Sequence, residues 1–277
     1  VGQPNGLAVV RGETGVFVHV FIPSESLVSG VRPEVSERIF QSLRSGRRYF
    51  GSAGASLTHH ANNPDFSTPF GRQVVRAGME GERSTSRVIR EWMKKYPGAV
   101  LIDSVHIKGM GRKDVDPDAA TQDGDGPDTD HVLIVGSNVF AIDSKRWKSR
   151  RKYSVNEKGV VLRSGRSFPG GRVHARQARG LWSKYLGRNV KVSSIVCVNN
   201  DKVFVQFQKG WPKHGFQLVG IDNLTSALDY RMKHHLSEKD LSTIDSGLVA
   251  KVAMCCIKPY DGYTKVFSDM NTIRNFR

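Results

Sequence analysis

The chain has 277 residues, of which 38% are hydrophobic and 25% are charged, and this composition is typical of a globular protein with a full core. The length predicts one elaborated domain or two small ones. No apolar run approaches the roughly 18 residues of a membrane span, so an integral membrane protein is not expected. The net charge of +16 favours a polyanionic partner, and three cysteines without disulfide or zinc spacing favour a reducing, cytoplasmic setting.

Residues 1–70 are predicted to form an accessory N-terminal region. Gly15–Ile22 has strand character, and Pro33–Arg47 has the apolar spacing of a helix with proline at its start. Ser52–Pro69 is rich in Gly, Ser, Asn and His, which predicts a loop or linker. The adjacent His59 and His60 have no partner motif, so we interpret them as exposed residues rather than metal ligands.

A helix is predicted from Ala77 to the stop at Pro97 and Gly98, because its apolar residues recur at three- and four-residue intervals. Glu82 would lie in the first turn of this helix. An acid there is favourable at the positive end of the helix dipole, even without a function. Two short strands, Ala99–Ile102 and Ser104–Ile107, are predicted to follow.

The segment Gly109–Thr129 is rich in glycine and aspartate. Alternating aspartates raise the possibility of a calcium-binding loop, but Ala119 occupies the position where that loop needs glycine, and no glutamate closes it. We therefore interpret the segment as a flexible acidic loop that lies beside a basic groove.

The stretch Asp130–Lys145 carries the strongest functional signal. Two short apolar runs are separated by Gly136, Ser137 and Asn138, which is a hairpin signal. Asp130 precedes the first run, Asp143 closes the second, and Lys145 projects from the same face as Asp143 if the strand continues. Two acids and a lysine at one end of a hairpin have the chemistry to hold a hard divalent cation and stabilise a phosphate.

The basic charge is concentrated between Ser144 and Lys191, where 15 Lys and Arg residues face one acid, Glu157, a local excess of +14. A solvated basic face would need no partner, but this run begins at the candidate active-site lysine, which favours a polyanion-binding surface. Trp147 and Tyr153 within the run are suited either to base stacking or to a core. The residues predicted to contact nucleic acid are Arg146, Lys148, Arg150, Arg151, Lys152, Arg172, Arg176 and Arg179.

The remaining elements alternate between strands and helices. His234 and His235 are interpreted as surface residues. The predicted strands are Val160–Leu162, Val190–Val198, Val203–Phe207 and Gln217–Ile221, and the predicted helices are Arg172–Gly187, Leu224–Tyr230 and a helix near Ser237–Lys251.

Several of these motifs together resemble the nuclease-related domain family called NERD, a branch of the restriction-endonuclease-like, PD-(D/E)xK superfamily. The matching motifs are Gly81-Glu82, Ile102-Asp103, Asp130–Gly136, Val139–Lys145, Gln177-Ala178-Arg179 and Val192–Val198. The resemblance covers roughly Arg72 to Tyr230. It implies an α/β fold with a restriction-endonuclease-like core, a mixed central sheet flanked by helices, over 71–230, followed by a C-terminal extension over 231–277.

The resemblance also implies roles for individual residues. Glu82 matches the helix glutamate, Asp130 the first metal-binding aspartate, Asp143 and Lys145 the (D/E)xK element, and Gln177 the helix glutamine of RecB-like nucleases. Family members more often have Glu where this chain has Asp143, and Asp128 competes with Asp130 for the role of first acid. Glu82, Asp130 and Asp143 would hold Mg²⁺ or Mn²⁺, together with the backbone carbonyl of Ser144.

The expected activity is metal-dependent hydrolysis of phosphodiester bonds in DNA. The chain has no zinc-finger or helix-turn-helix motif, so we expect recognition of structure or ends rather than of a base sequence. The alternatives are a nucleic-acid-binding module that keeps the fold without cutting, an RNA-directed nuclease and a protein-interaction domain. No membrane partner is expected.

Overall fold

The computed structural model describes residues 7–11, 17–21, 33–59, 68–107, 128–147, 150–157, 160–168, 179–200, 202–206 and 216–257. The helices are α1 (Pro33–Arg44), α2 (Ala55–His59), α3 (Pro69–Met93), α4 (described over 179–186), α5 (Ile221–His235), α6 (Glu238–Ser242) and α7 (Ser246–Ala253). The strands are β1 (Leu7–Arg11), β2 (Phe17–Phe21), β3 (Tyr49–Gly51), β4 (Ala99–Val105), β5 (Thr129–Val135), β6 (Asn138–Lys145), β7 (Lys152–Val155), β8 (Val161–Arg163), β9 (Arg166–Ser167), β10 (Lys191–Val198), β11 (Phe204–Val205), β12 (Phe216–Gly220) and β13 (Thr243–Asp245).

A six-stranded mixed sheet forms the centre of the fold, in the order β12-β10-β6-β5-β4-β3. Strands β4, β5 and β6 are antiparallel, whereas β10 runs parallel to β6, β12 parallel to β10, and β3 parallel to β4. Every residue of β4 and β5 is buried, because helices cover both faces of the sheet. The chain is therefore an α/β protein with a mixed sheet flanked by helices.

The two faces of this sheet carry separate cores. On one face, alternate strand residues such as Val132 and Ala141 pack with α1, α7 and the α4 residue Trp182. On the other face, the intervening residues such as Leu133 and Ile142 pack with α3 and α5. The strand alternation thus assigns each residue of the hairpin to one face, including the polar residues at its open end.

Two smaller sheets extend the fold. One has the order β1-β2-β13 and joins the N-terminal hairpin to the C-terminal part of the chain. The other has the order β11-β7-β8-β9 and packs its own core of Tyr153, Val161 and Phe216 against the end of β10. No helix within the described ranges is long and apolar enough to cross a membrane.

The structure corrects three of the predicted elements. Helix α3 begins at Pro69 rather than at Ala77, because Thr68 caps it by accepting a hydrogen bond from Gly71 N, and Pro69 suits the first turn. A short helix, α2, lies within the segment predicted to be a loop. The predicted helix near Ser237–Lys251 is divided by β13, whose last residue, Asp245, caps α7.

Several other elements agree with the predicted pattern, whereas β1, β3 and β9 were not predicted. The hairpin is formed by β5 and β6, and the two strand pieces predicted after Pro97 are one strand, β4. His234 and His235 are exposed, as predicted. The Gly/Asp-rich segment lies almost entirely outside the described residues. The three-part division at residues 70 and 230 stays a prediction, although β3, which precedes residue 71, pairs within the central sheet.

Candidate active site

The hairpin register brings the two aspartates together at the open end of β5 and β6. His131 lies opposite Ile142, so Asp130 and Asp143 are the next positions along the two antiparallel strands. Both side chains are buried, with 8% and 6% exposure. Strand β6 continues to Lys145, as the predicted geometry requires, and Lys145 Nζ donates a hydrogen bond to Asp143 Oδ1 at 2.6 Å.

Glu82 approaches this end of the hairpin from the middle of α3. Its position corrects the interpretation of Glu82 as an acid in the first turn of a helix, because that turn lies at Pro69. The carboxylate is 3% exposed, and its Oε2 accepts hydrogen bonds from Gly54 N and Ser56 Oγ, each at 2.9 Å. A buried carboxylate in mid-helix cannot be explained by the helix dipole, so its partners hold it for another reason.

Electrostatic interaction joins the three acids and the lysine. Burial raises the pKa of Asp130 well above its usual value, and the negative charges of Glu82 and Asp143 raise it further. Burial also raises the pKa of Glu82, against the opposing effects of His131 and Lys145. The negative charges of Glu82 and Asp143 therefore disfavour ionisation of Asp130, as expected where carboxylates share one low-dielectric site.

Lys145 stays charged in this setting. Burial alone would lower the pKa of its ammonium group, but the charges of Asp143, Asp130 and Glu82 and the hydrogen bond to Asp143 outweigh burial and raise it. An ammonium group with a raised pKa is protonated at neutral pH, so beside the acids it is suited to stabilise negative charge or orient a water molecule rather than to act as a general base.

A buried polar chain lies on the α3 face of the same strands, and sequence reasoning did not identify it. His131 Nδ1 lies 2.7 Å from Asp103 Oδ1, and Ser86 Oγ donates to Asp103 Oδ2 at 2.7 Å. His131 Nε2 lies 2.9 Å from Ser144 Oγ, and Ser144 N donates to Asp130 Oδ2 at 2.7 Å. This chain of hydrogen-bonded residues therefore holds the Asp130 carboxylate in place from the α3 side of the sheet. The only sequence signal for it was that Asp103 and His131 fall within the motifs of the NERD resemblance.

The carboxylates supply the kind of oxygen ligand that Mg²⁺ and Mn²⁺ prefer. One oxygen of each takes part in the bonds above, namely Glu82 Oε2, Asp130 Oδ2 and Asp143 Oδ1. Among the residues that the structure describes, no group of three or more His, Cys, Asp or Glu side chains is arranged as a metal site. The donor chemistry and the mutual repulsion of the acids fit a divalent cation, and the cation itself stays a prediction.

Comparisons of the chain with protein-family models, with curated proteins and with solved structures find no match. The similarity to the NERD family therefore stays a resemblance. The architecture described above is a mixed sheet flanked by helices, and the assignment of a nuclease core within it is a proposal.

The described part of the basic run presents an exposed surface. Arg146, Arg150, Arg151, Lys152 and Arg179 are exposed, and Arg146 also forms an ion pair with Glu80 of α3 at 3.0 Å. The structure thus leaves these five cations accessible to a polyanion. The remaining predicted residues of the site and of this surface, Gln177, Lys148, Arg172 and Arg176, lie outside the described residues.

The aromatic residues of the basic run are divided between core and surface. Tyr153 has no exposed surface and packs with Trp147 and Phe168, so it belongs to a core. Phe204 of β11 is instead 62% exposed, lies opposite Lys152, and has the Lys152 ammonium 5.7 Å from its ring centre. Among the described residues of this surface, Phe204 is therefore the exposed aromatic, and sequence reasoning missed it.

Asp128, the competing choice for the first acid, has a different partner. Its Oδ1 lies 2.7 Å from His106 Nδ1. Asp130 is the acid whose pKa responds to Glu82 and Asp143. Because Asp130 also lies next to Asp143 in the hairpin register, the structure favours Asp130 over Asp128 as the member of the cluster.

Proposed function

We propose that this protein is a divalent-cation-dependent nuclease that hydrolyses phosphodiester bonds in DNA. The observation that supports the proposal is the electrostatic coupling of three buried carboxylates, Glu82, Asp130 and Asp143, around the protonated Lys145. Burying three acids together costs folding free energy, so their retention favours a catalytic role over a structural one. The mixed sheet flanked by helices agrees with the restriction-endonuclease-like core that the NERD resemblance implies.

The side chains of the candidate site have separate expected roles in metal binding, charge stabilisation and positioning. Glu82, Asp130 and Asp143, with the Ser144 carbonyl, would hold Mg²⁺ or Mn²⁺, which supplies charge stabilisation and lowers the pKa of a bound water. The Lys145 ammonium donates hydrogen bonds to the attacking water or to the developing negative charge on phosphate. Ser144 holds Asp130 in place because its backbone N donates to the Asp130 carboxylate, and the His131 ring fixes Ser144 through a hydrogen bond with the Ser144 hydroxyl.

The exposed cations after β6 would hold the substrate by its phosphates. Arg146, Arg150, Arg151 and Lys152 follow directly from the candidate catalytic lysine along the chain. Contacts of arginine and lysine with phosphate carry no base information. The proposal is therefore of a nuclease directed by DNA structure or ends rather than by sequence.

The deciding experiment compares cleavage of supercoiled, linear and single-stranded DNA, and of RNA, with Mg²⁺, Mn²⁺ or EDTA. We expect the wild type to cut DNA only with the cation, and Lys145→Ala to lose at least roughly 100-fold in rate while it still binds DNA. Lys233→Ala, at an exposed lysine of α5, is the matched control and should cut at the wild-type rate. Equal cutting by Lys145→Ala and wild type would contradict the assigned site, and preferential cutting of RNA would indicate an RNA-directed nuclease.

A second candidate is a nucleic-acid-binding module that does not cut. The observation that favours it is that the described carboxylates do not form a preformed metal site. This candidate predicts steeply salt-dependent DNA binding by wild type with no cleavage under any cation. It also predicts that Lys145→Ala binds as tightly as wild type.

A further inference from the structure

A second basic surface lies at the β3 edge of the central sheet, outside the basic run of residues 144–191. A cleft of about 510 Å³ lies between the end of α1, strand β3 and one face of α3, and a smaller cavity of about 270 Å³ adjoins it. The two share Tyr49, Arg87 and Arg90 as lining residues. We call the two together the arginine cleft, and its basic lining residues are Arg47, Arg48, Arg83, Arg87, Arg90 and Lys94.

The charge of the arginine cleft is one-sided. Among the residues that the structure describes, six basic side chains line it against a single acid, Glu91, and Glu91 forms an ion pair with Lys94. The arginines come from two parts of the chain that are distant in sequence, the β3 region and α3. Their concentration therefore results from the fold and is invisible as a run in the sequence.

The spacing on α3 argues against a purely structural origin. Arg83, Arg87, Arg90 and Lys94 are three or four residues apart and so lie along one face of the helix. Like charges at this spacing destabilise a helix by roughly 0.2–0.5 kcal/mol a pair. Glu91 offsets this repulsion at Lys94 and the Tyr49 ring offsets it at Arg90, so an anionic ligand would matter most at Arg83 and Arg87.

Two of the cleft arginines are already held in place. The Arg90 guanidinium lies 4.4 Å from the centre of the Tyr49 ring, and Arg48 donates to the Pro97 and Leu43 carbonyl oxygens. A planar guanidinium that is fixed before binding loses little conformational entropy when it binds phosphate. Arg83 and Arg87 are exposed beside them.

The arginine cleft borders the candidate active site through α3. Arg83 follows Glu82 directly, and Ser86, which lines the smaller cavity, donates its hydroxyl to Asp103 of the buried chain behind Asp130. One helix therefore contributes Glu82 to the site and cations to the cleft. Arg83 and Ser86 line the end of the cleft nearer to Glu82 on α3, whereas Pro97 and Ala99 line its far end.

We propose that the arginine cleft binds the phosphates of a single-stranded segment of polynucleotide, adjacent to the bond that is cut. This inference rests on the proposed function, since it concerns the substrate of the same site. The volume of the larger cavity lies in the range of roughly 300–1,000 Å³ that is usual for ligand pockets. The adjoining cavities provide places for consecutive nucleotides rather than for one isolated anion.

The test measures binding without cleavage. Fluorescence anisotropy of a labelled 20-nucleotide single-stranded DNA is followed in EDTA over a range of salt concentrations, for wild type and for Arg83→Ala/Arg87→Ala. We expect the double variant to bind roughly tenfold more weakly, at about threefold for each lost phosphate contact. The plot of log K against log salt should become shallower by about 1–2. Arg38→Ala/Lys233→Ala removes two exposed cations elsewhere and should change neither quantity.

Competition identifies the ligand. Inorganic phosphate and a deoxynucleoside monophosphate should displace the labelled strand only at much higher concentration than an unlabelled oligonucleotide does. Competition by either small anion at the oligonucleotide concentration would assign the cleft to small phosphates and overturn the proposal. Unchanged affinity and salt dependence in the double variant would also overturn it. Neither result depends on cleavage. If the wild type cuts nothing, the proposed nuclease activity is contradicted, but the binding test of the arginine cleft is still valid.

Discussion

His131 and Asp103 form a hydrogen-bonded pair in the interior of the protein, with Nδ1 and Oδ1 2.7 Å apart and no exposed surface on either side chain. The pair lies opposite in the register of β4 and β5 and connects α3, through Ser86, to Ser144 beside the candidate acids. It therefore supports the site without belonging to the set of groups that would contact substrate.

We expect the interaction between Asp103 and His131 to make a large contribution to the free energy of unfolding. A double-mutant cycle with Asp103→Ala and His131→Ala should give a coupling free energy of about 1–3 kcal/mol in urea unfolding, because each single variant leaves a buried polar partner unsatisfied. The exposed pair Arg76 and Glu80 is the control and should give only about 0.3–0.5 kcal/mol. Equal coupling in the two pairs would show that the buried pair does not support the core.

Gly51 allows β3 to approach β4 closely. Its φ is +77°, and a Cβ atom there would lie 2.1 Å from the Asp103 carbonyl oxygen, so Gly51→Ala should destabilise the protein by more than about 2 kcal/mol. Gly46 also has a positive φ, +90°, but a Cβ there meets nothing within 4 Å. Gly46→Ala should therefore cost only about 1 kcal/mol. Urea unfolding of the two variants separates steric conflict from backbone strain, and similar losses would contradict the close approach.

The Asp130 carboxylate should lower the free energy of unfolding at neutral pH, because the pKa of Asp130 is raised in the folded state. Burial is the largest cause of this shift, followed by the negative charges of Glu82 and Asp143. For an acid with a raised folded pKa, the folded state binds more protons than the unfolded state. Stability is then greatest below the unfolded pKa and falls as pH rises through the folded pKa. Asp130→Asn should remove part of this fall and stabilise the protein at pH 7 by about 1 kcal/mol.

Thermal unfolding between pH 4 and pH 8 in EDTA tests this expectation. Asp222→Asn is the matched control, since Asp222 is exposed in the first turn of α5, where its negative charge interacts favourably with the positive end of the helix dipole. Its removal should lower stability slightly rather than raise it. A lower melting temperature for Asp130→Asn at pH 7 would contradict the raised pKa.

Phe204 should contribute to binding of single strands. Its exposed ring beside Lys152 is placed for stacking on a base, so Phe204→Ala should weaken binding of single-stranded DNA by about tenfold and that of duplex much less. Phe70→Ala removes another exposed ring, 75% accessible, at the start of α3 and should leave both affinities unchanged. Anisotropy measurements with the two DNA forms check the difference, and equal losses for the two variants would remove Phe204 from the binding surface.

The sequence by itself determined the local elements of the site. The hairpin of β5 and β6 was predictable because strand period, turn residues and the placement of Asp130, Asp143 and Lys145 are all local features. The α/β class was predictable for the same reason. Boundaries were less so: α3 begins at Pro69 because a cap and a proline there extend the helix beyond its apolar stripe.

The tertiary structure decided which residues act together. Glu82 is buried beside Gly54 and Ser56 because α2 packs against α3, and no local pattern predicts that contact. The Asp103–His131 pair depends on the register of β4 with β5, across the acidic segment that separates them in sequence. The arginine cleft unites residues of the β3 region with one face of α3 for the same physical reason: sequence patterns specify which face a side chain occupies, whereas packing specifies what it meets there.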